Sequence, residues 1–192
     1  MKLKRKPWPT LKNNCNNTAK FLEIRKVMKI MIQEFFANYA NIILFLHVIA
    51  AVVWVGGMIA IRYAVHPSMM HIEDVQARTA RTLELLKNFF IIVIPMIVIL
   101  IITAAIMAIG FNFKAVGGFM YGMVHFKEAM WTVMAIFFTI IYIRRNRAER
   151  AFIAGNMDEC KRQMAPISKF FIPANIFLGL VAIFVGGILR GI

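Results

Sequence analysis

Residues 89–113 read FFIIVIPMIVILIITAAIMAIGFNF, and this stretch decides the fold class of the chain. Thr103 and Asn112 are its only polar residues. The run is longer than the ~20 residues that a helix needs to cross ~30 Å of hydrocarbon. Because lipid offers the backbone no hydrogen-bond partner, the run must pair its amides within itself. It therefore predicts a transmembrane helix.

Three further apolar runs meet the same length criterion: Tyr39–Tyr63, Val116–Ile143 and Phe170–Leu189. Together with Phe89–Phe113 they predict an all-α polytopic membrane protein, a bundle of four transmembrane helices within residues 39–192. Residues 1–38 form a basic tail that ends in an amphipathic stretch. Since residues 1–27 are polar and lack an apolar signal core, Met28 is an alternative start of the native chain.

The net charge of +14 lies almost entirely between the apolar runs. This distribution is typical of basic loops beside anionic lipid and gives no reason to expect nucleic-acid binding. The links at 64–88 and 144–169, counted with Arg62, hold 11 Lys and Arg residues. The opposite side of the membrane also holds 11 if the whole N-terminal tail is counted, but only three if the chain starts at Met28. Counting from Met28, we predict a multi-pass membrane protein with cytoplasmic links and its N-terminus outside.

Two histidines lie inside the predicted spans, at His47 in the first and His125 in the third. These spans run in the same direction, so at ~1.5 Å per residue both imidazoles lie ~12–14 Å below one surface. Two neutral imidazoles at matched depth in a four-helix bundle can ligate the iron of a b-type haem. Trp54, two turns after His47, would line such a haem. The cationic partners expected for the propionates are Lys114, Lys127 and Arg190.

Simpler roles for these polar residues remain open. Either histidine could serve only as a hydrogen-bonding group between helices. Glu128 lies three residues after His125, where it could orient the imidazole or neutralise Lys127. Lys127 and Glu128 are also the candidates for a catalytic role, although the sequence assigns no catalytic residue.

A second cluster follows the first span and comprises His66, Met69, Met70 and His71. Imidazole and thioether ligands suit Cu(I), so a copper ion is the alternative to haem. His66 and Met70 share a helix face if the helix resumes after Pro67. The competing interpretation is that these methionines only pack at the membrane boundary. Nothing in the sequence resembles a phosphate-binding loop, a zinc-protease helix or a Ser–His–acid set.

The run LHVIAAVVWVGG at residues 46–57 resembles the first helix of the copper-resistance protein D family. It also resembles that of the membrane protoporphyrinogen oxidases, whose third helix is entered through His-x-Lys, here His125-Phe126-Lys127. The stretch from Tyr142 to Arg147 is similar to the Arg-rich end of the copper-family domain. The resemblance covers roughly residues 40–190.

The resemblance to the oxidases implies a bound b-type haem, with His47 as an axial ligand and His125 and Lys127 in the third-helix motif. The resemblance to the copper family implies copper uptake or copper tolerance. This chain departs from the oxidase pattern, because it has Ile61-Arg62 where the oxidases carry a Pro-Arg step. Its Gly56-Gly57 pair favours the copper family.

Three hypotheses follow. The first is a haem-dependent membrane oxidoreductase that exchanges electrons with a quinone or another membrane protein. The second is a copper transport or copper-tolerance protein. The third is a structural membrane subunit without a cofactor, in which alanine at either histidine costs about 1 kcal/mol or less. The sequence leaves the substrate, the electron partner and the formation of a homo-oligomer open.

Overall fold

The computed structural model describes residues 9–111 and 118–188, and for residues 9–16, 120 and 121 it describes the backbone alone. Every regular element in these ranges is helical: α1 (Pro9–Ala60), α2 (His66–Met69), α3 (Val75–Gly110), α4 (Gly118–Ile153), α5 (Met157–Pro166) and α6 (Ile172–Ile188). Four helical stretches in the described part are long and apolar enough to cross a membrane. The all-α membrane fold predicted from the sequence is confirmed.

The four long helices α1, α3, α4 and α6 form a bundle in which each packs against two neighbours. Helix α1 lies beside α3 and α6, and α4 lies beside the same two helices. Helices α1 and α4 are therefore diagonally opposite and run in the same direction. The end of the bundle that carries residues 61–88 and 144–169 is called the link end below.

The helices extend beyond the apolar runs that identify them. Helix α1 continues across a break in helical geometry at Tyr39, where φ is −121° and ψ is 19°. Just before this break, Phe36 packs edge-on against Phe111 with ring centroids 4.8 Å apart. Helix α3 begins at Val75, where Asp74 caps it by accepting a hydrogen bond from the Gln76 amide. The residues between Val75 and the second apolar run thus belong to the same helix as that run.

Two π-helical turns lie at the link end, at Ile61–Val65 and at Ile167–Phe171. In each, the last amide reaches back five residues, from His66 to Ile61 and from Ile172 to Ile167. A proline, Pro67 or Pro173, follows directly in both cases. Because a proline ring clashes with the carbonyl four residues earlier, a wider turn allows the helix to continue past it.

Aromatic rings fill the centre of the bundle near the link end. Trp54 is 1% exposed and meets Phe138 edge-on at 5.7 Å between ring centroids. Phe138 meets Phe90 at 5.0 Å, and Phe90 meets Tyr142 at 5.3 Å. These edge-to-face contacts connect α1, α4 and α3 and fix their relative rotation.

A turn at Gly155 and Asn156 separates α4 from α5. Gly155 has a φ of 76°, in the left-handed region that glycine adopts without strain. The Asn156 side chain then accepts a hydrogen bond of 3.0 Å from the Glu159 amide and caps α5. This turn folds α5 back beside α4 at the link end.

Candidate functional site

His47 lies on α1 within the first span, half-buried and facing α3. Its Nδ1 is 2.9 Å from the hydroxyl oxygen of Thr103, which is buried. The Thr103 hydroxyl in turn lies 2.7 Å from the carbonyl oxygen of Ile99, one helical turn earlier. Sequence reasoning identified Thr103 as a polar exception in the second span but gave it no role. The structure makes it the partner of the intramembrane histidine.

Lys127 lies on α4 and extends toward α6. A Cβ atom added to Gly186 would lie 2.9 Å from the Lys127 ammonium nitrogen, so the side chain occupies the space that the glycine leaves. The same two helices meet two turns closer to the link end, where a Cβ on Gly179 would lie 3.2 Å from Cε of Met134. The two contacts are seven residues apart on each of these antiparallel helices.

The same register places His47 at the depth of Lys127. Gly179 also faces Val55 of α1, since its added Cβ would lie 2.6 Å from Val55 Cγ2. His47 lies eight residues before Val55, and Lys127 lies seven residues before Met134, the other residue that faces Gly179. The two side chains therefore share one level of the bundle.

His47, Thr103 and Lys127 are called the intramembrane polar site below. Three helices supply its side chains, and Gly186 of the fourth provides the room for Lys127. Within the described parts of the chain, no hydrogen bond or ion pair holds the Lys127 ammonium. Ionisable groups inside membrane proteins are costly and usually have a partner with which they function. The site can therefore accept an anionic group at Lys127 beside an imidazole.

The structure does not bring His125 to this site. The His125 side chain is 53% exposed, and its Nδ1 lies 2.9 Å from the carboxylate of Glu128, three residues later on α4. Of the two roles considered for Glu128, this contact corresponds to orienting the imidazole. The residue count predicts a matched depth for the two imidazoles, but His47 contacts α3 whereas His125 is exposed on α4.

The other residues expected around a haem have separate positions. Trp54 is buried among the core aromatic rings, and its indole N–H lacks a hydrogen-bond partner among the described residues. The buried indole N–H of Trp131 on α4 also lacks one. Lys114 and Arg190, the other cations predicted to meet propionates, lie outside the described residues.

The predicted copper cluster lies at the link end. The helix does resume after Pro67, as the shared-face argument for His66 and Met70 requires, and the Met70 amide lies 3.3 Å from the His66 carbonyl. Nδ1 of His71 donates to the carbonyl of Pro67 at 3.2 Å. His66 and Met69 are half-buried, whereas Met70 and His71 are exposed. In the described part of the chain, no group of three or more His, Cys, Asp or Glu side chains is placed to hold a metal ion.

No family model, no curated protein and no solved structure matches this chain. The function must therefore be inferred from the residues themselves. The intramembrane polar site offers the most specific geometry for that inference, since it joins an oriented imidazole and a cation within the membrane domain.

Proposed function

We propose that this chain is a redox protein of a bacterial inner membrane that binds a b-type haem through His47, similar to the membrane protoporphyrinogen oxidases. The observation that carries this proposal is the intramembrane polar site. A hydrogen bond at Nδ1 orients the His47 imidazole, and a cation without a described partner lies at the same depth. An oriented imidazole beside a cation is what a haem with anionic propionates requires.

Some of these residues are better placed for binding a haem than others. Metal-bound histidines usually bond through their second ring nitrogen to an acceptor that orients them, and Thr103 fills this position for His47. Lys127 would hold a propionate. His125 stays the predicted second ligand, but its side chain is 53% exposed and would have to turn toward His47 in order to serve. When bound, the haem would supply one-electron chemistry, with a quinone or another membrane protein as the proposed partner.

The test is an absorption spectrum of the detergent-purified protein. We expect a Soret band from the full chain, and we expect that His47→Ala removes most of it. His125→Ala should change the position of the band, because it would remove the second ligand. The matched control is His71→Ala, which replaces an exposed histidine at the link end and should leave the spectrum unchanged.

Two outcomes of this test would contradict the haem proposal. The first is a colourless protein after expression with an ample haem supply. The second is a folded His47→Ala variant that keeps an unchanged haem spectrum.

Copper handling is the second candidate function. The observation that favours it is the continuous helix across Pro67, which places His66 and Met70 one turn apart. Imidazole and thioether groups at this spacing suit Cu(I). A colourless protein that binds Cu(I), and loses the binding in a His66→Ala, Met70→Ala variant, would favour this function over haem binding.

We also propose that both links face the cytoplasm and that the N-terminus lies outside. The links and Arg62 hold 11 Lys and Arg residues, and several of these side chains are solvent-exposed in the structure, such as Arg81 and Arg162. Basic loops are retained on the cytoplasmic side of a membrane. A reporter that functions only outside the cytoplasm should therefore be active when it is fused after Ile192. Activity of a strictly cytoplasmic reporter at this position would reverse the orientation.

A further inference from the structure

We infer that Thr103 holds His47 as the Nδ1–H tautomer, which makes Nε2 the basic nitrogen of the intramembrane polar site. Thr103 is thus a positioning residue for whatever electron-pair acceptor the site binds. The tautomer follows from the hydrogen bonds alone. Its consequence for haem binding rests on the proposed function.

The Thr103 hydroxyl has a single proton to donate. That oxygen lies 2.7 Å from the Ile99 carbonyl and 3.1 Å from the Leu100 carbonyl. Carbonyl oxygens only accept, so the hydroxyl must donate its proton to one of them. If the proton instead pointed at His47, two acceptor oxygens would face each other at 2.7 Å without a hydrogen between them.

The hydroxyl oxygen is therefore the acceptor in its 2.9 Å contact with Nδ1 of His47. It follows that Nδ1 carries a proton. Thr103 is 5% exposed, so little water competes for its hydroxyl.

A neutral imidazole has one N–H, so a proton on Nδ1 leaves the lone pair on Nε2. A transition-metal centre with an open axial position binds such a lone pair, as does a strong hydrogen-bond donor. In the proposed haem complex, Nε2 would be the ligand atom. Thr103 would then set both the identity of that atom and the direction of its lone pair.

The experiment is solid-state NMR of the full chain with 15N-labelled histidine, in lipid and without added haem. Comparison with His47→Ala assigns the His47 signals among those of the four histidines. We expect Nδ1 to be the protonated nitrogen in the unaltered chain. In Thr103→Val, which keeps the shape but removes the hydroxyl, the population with a proton on Nε2 should rise. Thr103→Ser keeps the hydroxyl and should retain the original tautomer.

The second readout is titration of the same three proteins with haemin. Loss of a group that orients a ligating histidine typically lowers metal affinity by about 10–100-fold. We expect a loss of that size for Thr103→Val and a much smaller change for Thr103→Ser. If Thr103→Val fails to fold, the unaltered chain and the serine variant still report the tautomer.

The outcomes separate the two proposals. A proton on Nε2 of His47 in the unaltered chain would overturn the inference, whether or not haem binds. Equal haemin affinities for the unaltered chain and a folded Thr103→Val would overturn the positioning role. A correct tautomer together with no haemin binding in any protein would instead contradict the proposed function.

Discussion

Replacing Arg145 by alanine should lower the free energy of unfolding by about 3 kcal/mol, because charged hydrogen bonds in a buried position are lost. The Arg145 side chain is 5% exposed and lies at the link end of α4. Its guanidinium donates to the carbonyl of Leu83 on α3 at 3.0 Å and 3.3 Å. It also donates to both carboxylate oxygens of Glu149, at 2.6 Å and 2.8 Å. The measurement is unfolding in mixed micelles as the denaturing detergent fraction rises.

The control for this prediction is Arg162→Ala. Arg162 also pairs with a carboxylate, that of Glu159, but its side chain is 76% exposed. Exposed ion pairs contribute about 0–1 kcal/mol, so the transition should barely move. If both variants unfolded at the same detergent fraction, Arg145 would not be the residue that fastens α4 to α3.

The sequence predicts the spans because hydropathy along a chain is one-dimensional. A run such as 89–113 has only one stable arrangement in hydrocarbon, a helix. The positions of side chains outside the apolar runs depend on contacts between helices, which hydropathy does not encode. Arg145 is one of several arginines after the third span, and although Glu149 lies four residues later, nothing in the local sequence shows that Arg145 is the buried one. Only the position of α3 beside α4 buries this one arginine against the Leu83 carbonyl.

At the candidate site, too, the sequence predicts the position of a residue along its helix but not the contacts of its side chain. The sequence predicts a matched depth for His47 and His125, because each residue adds a fixed rise along a helix. The direction of a side chain depends on how each helix is rotated in the bundle. The packing at Gly179 and the aromatic contacts set that rotation, and they leave the His125 side chain 53% exposed. Thr103 was visible in the sequence as a polar residue, but its role required knowing that α1 and α3 are neighbours.

Replacing Gly179 by valine should have the second large effect, a loss of about 3 kcal/mol in unfolding free energy, at the upper end of what overpacking usually costs. A Cβ at this position would lie 2.6 Å from Cγ2 of Val55, far closer than van der Waals contact. The backbone fixes the position of the Cβ, so no rotamer relieves this contact, and the two γ-methyl groups of valine add to the crowding. Helices α1 and α6 would have to separate. The same detergent-unfolding transition measures the change.

Gly187→Val is the matched control, since a Cβ on Gly187 would have no heavy atom within 4 Å. This variant introduces the same residue into the same helix, and we expect its unfolding transition to stay close to that of the unaltered chain. Gly179 also sets the register that brings Lys127 and His47 to one depth. The valine at position 179 should therefore weaken haemin binding as well, even in molecules that remain folded. If the two glycine variants unfolded at the same detergent fraction, α1 and α6 would not be in close contact at Gly179.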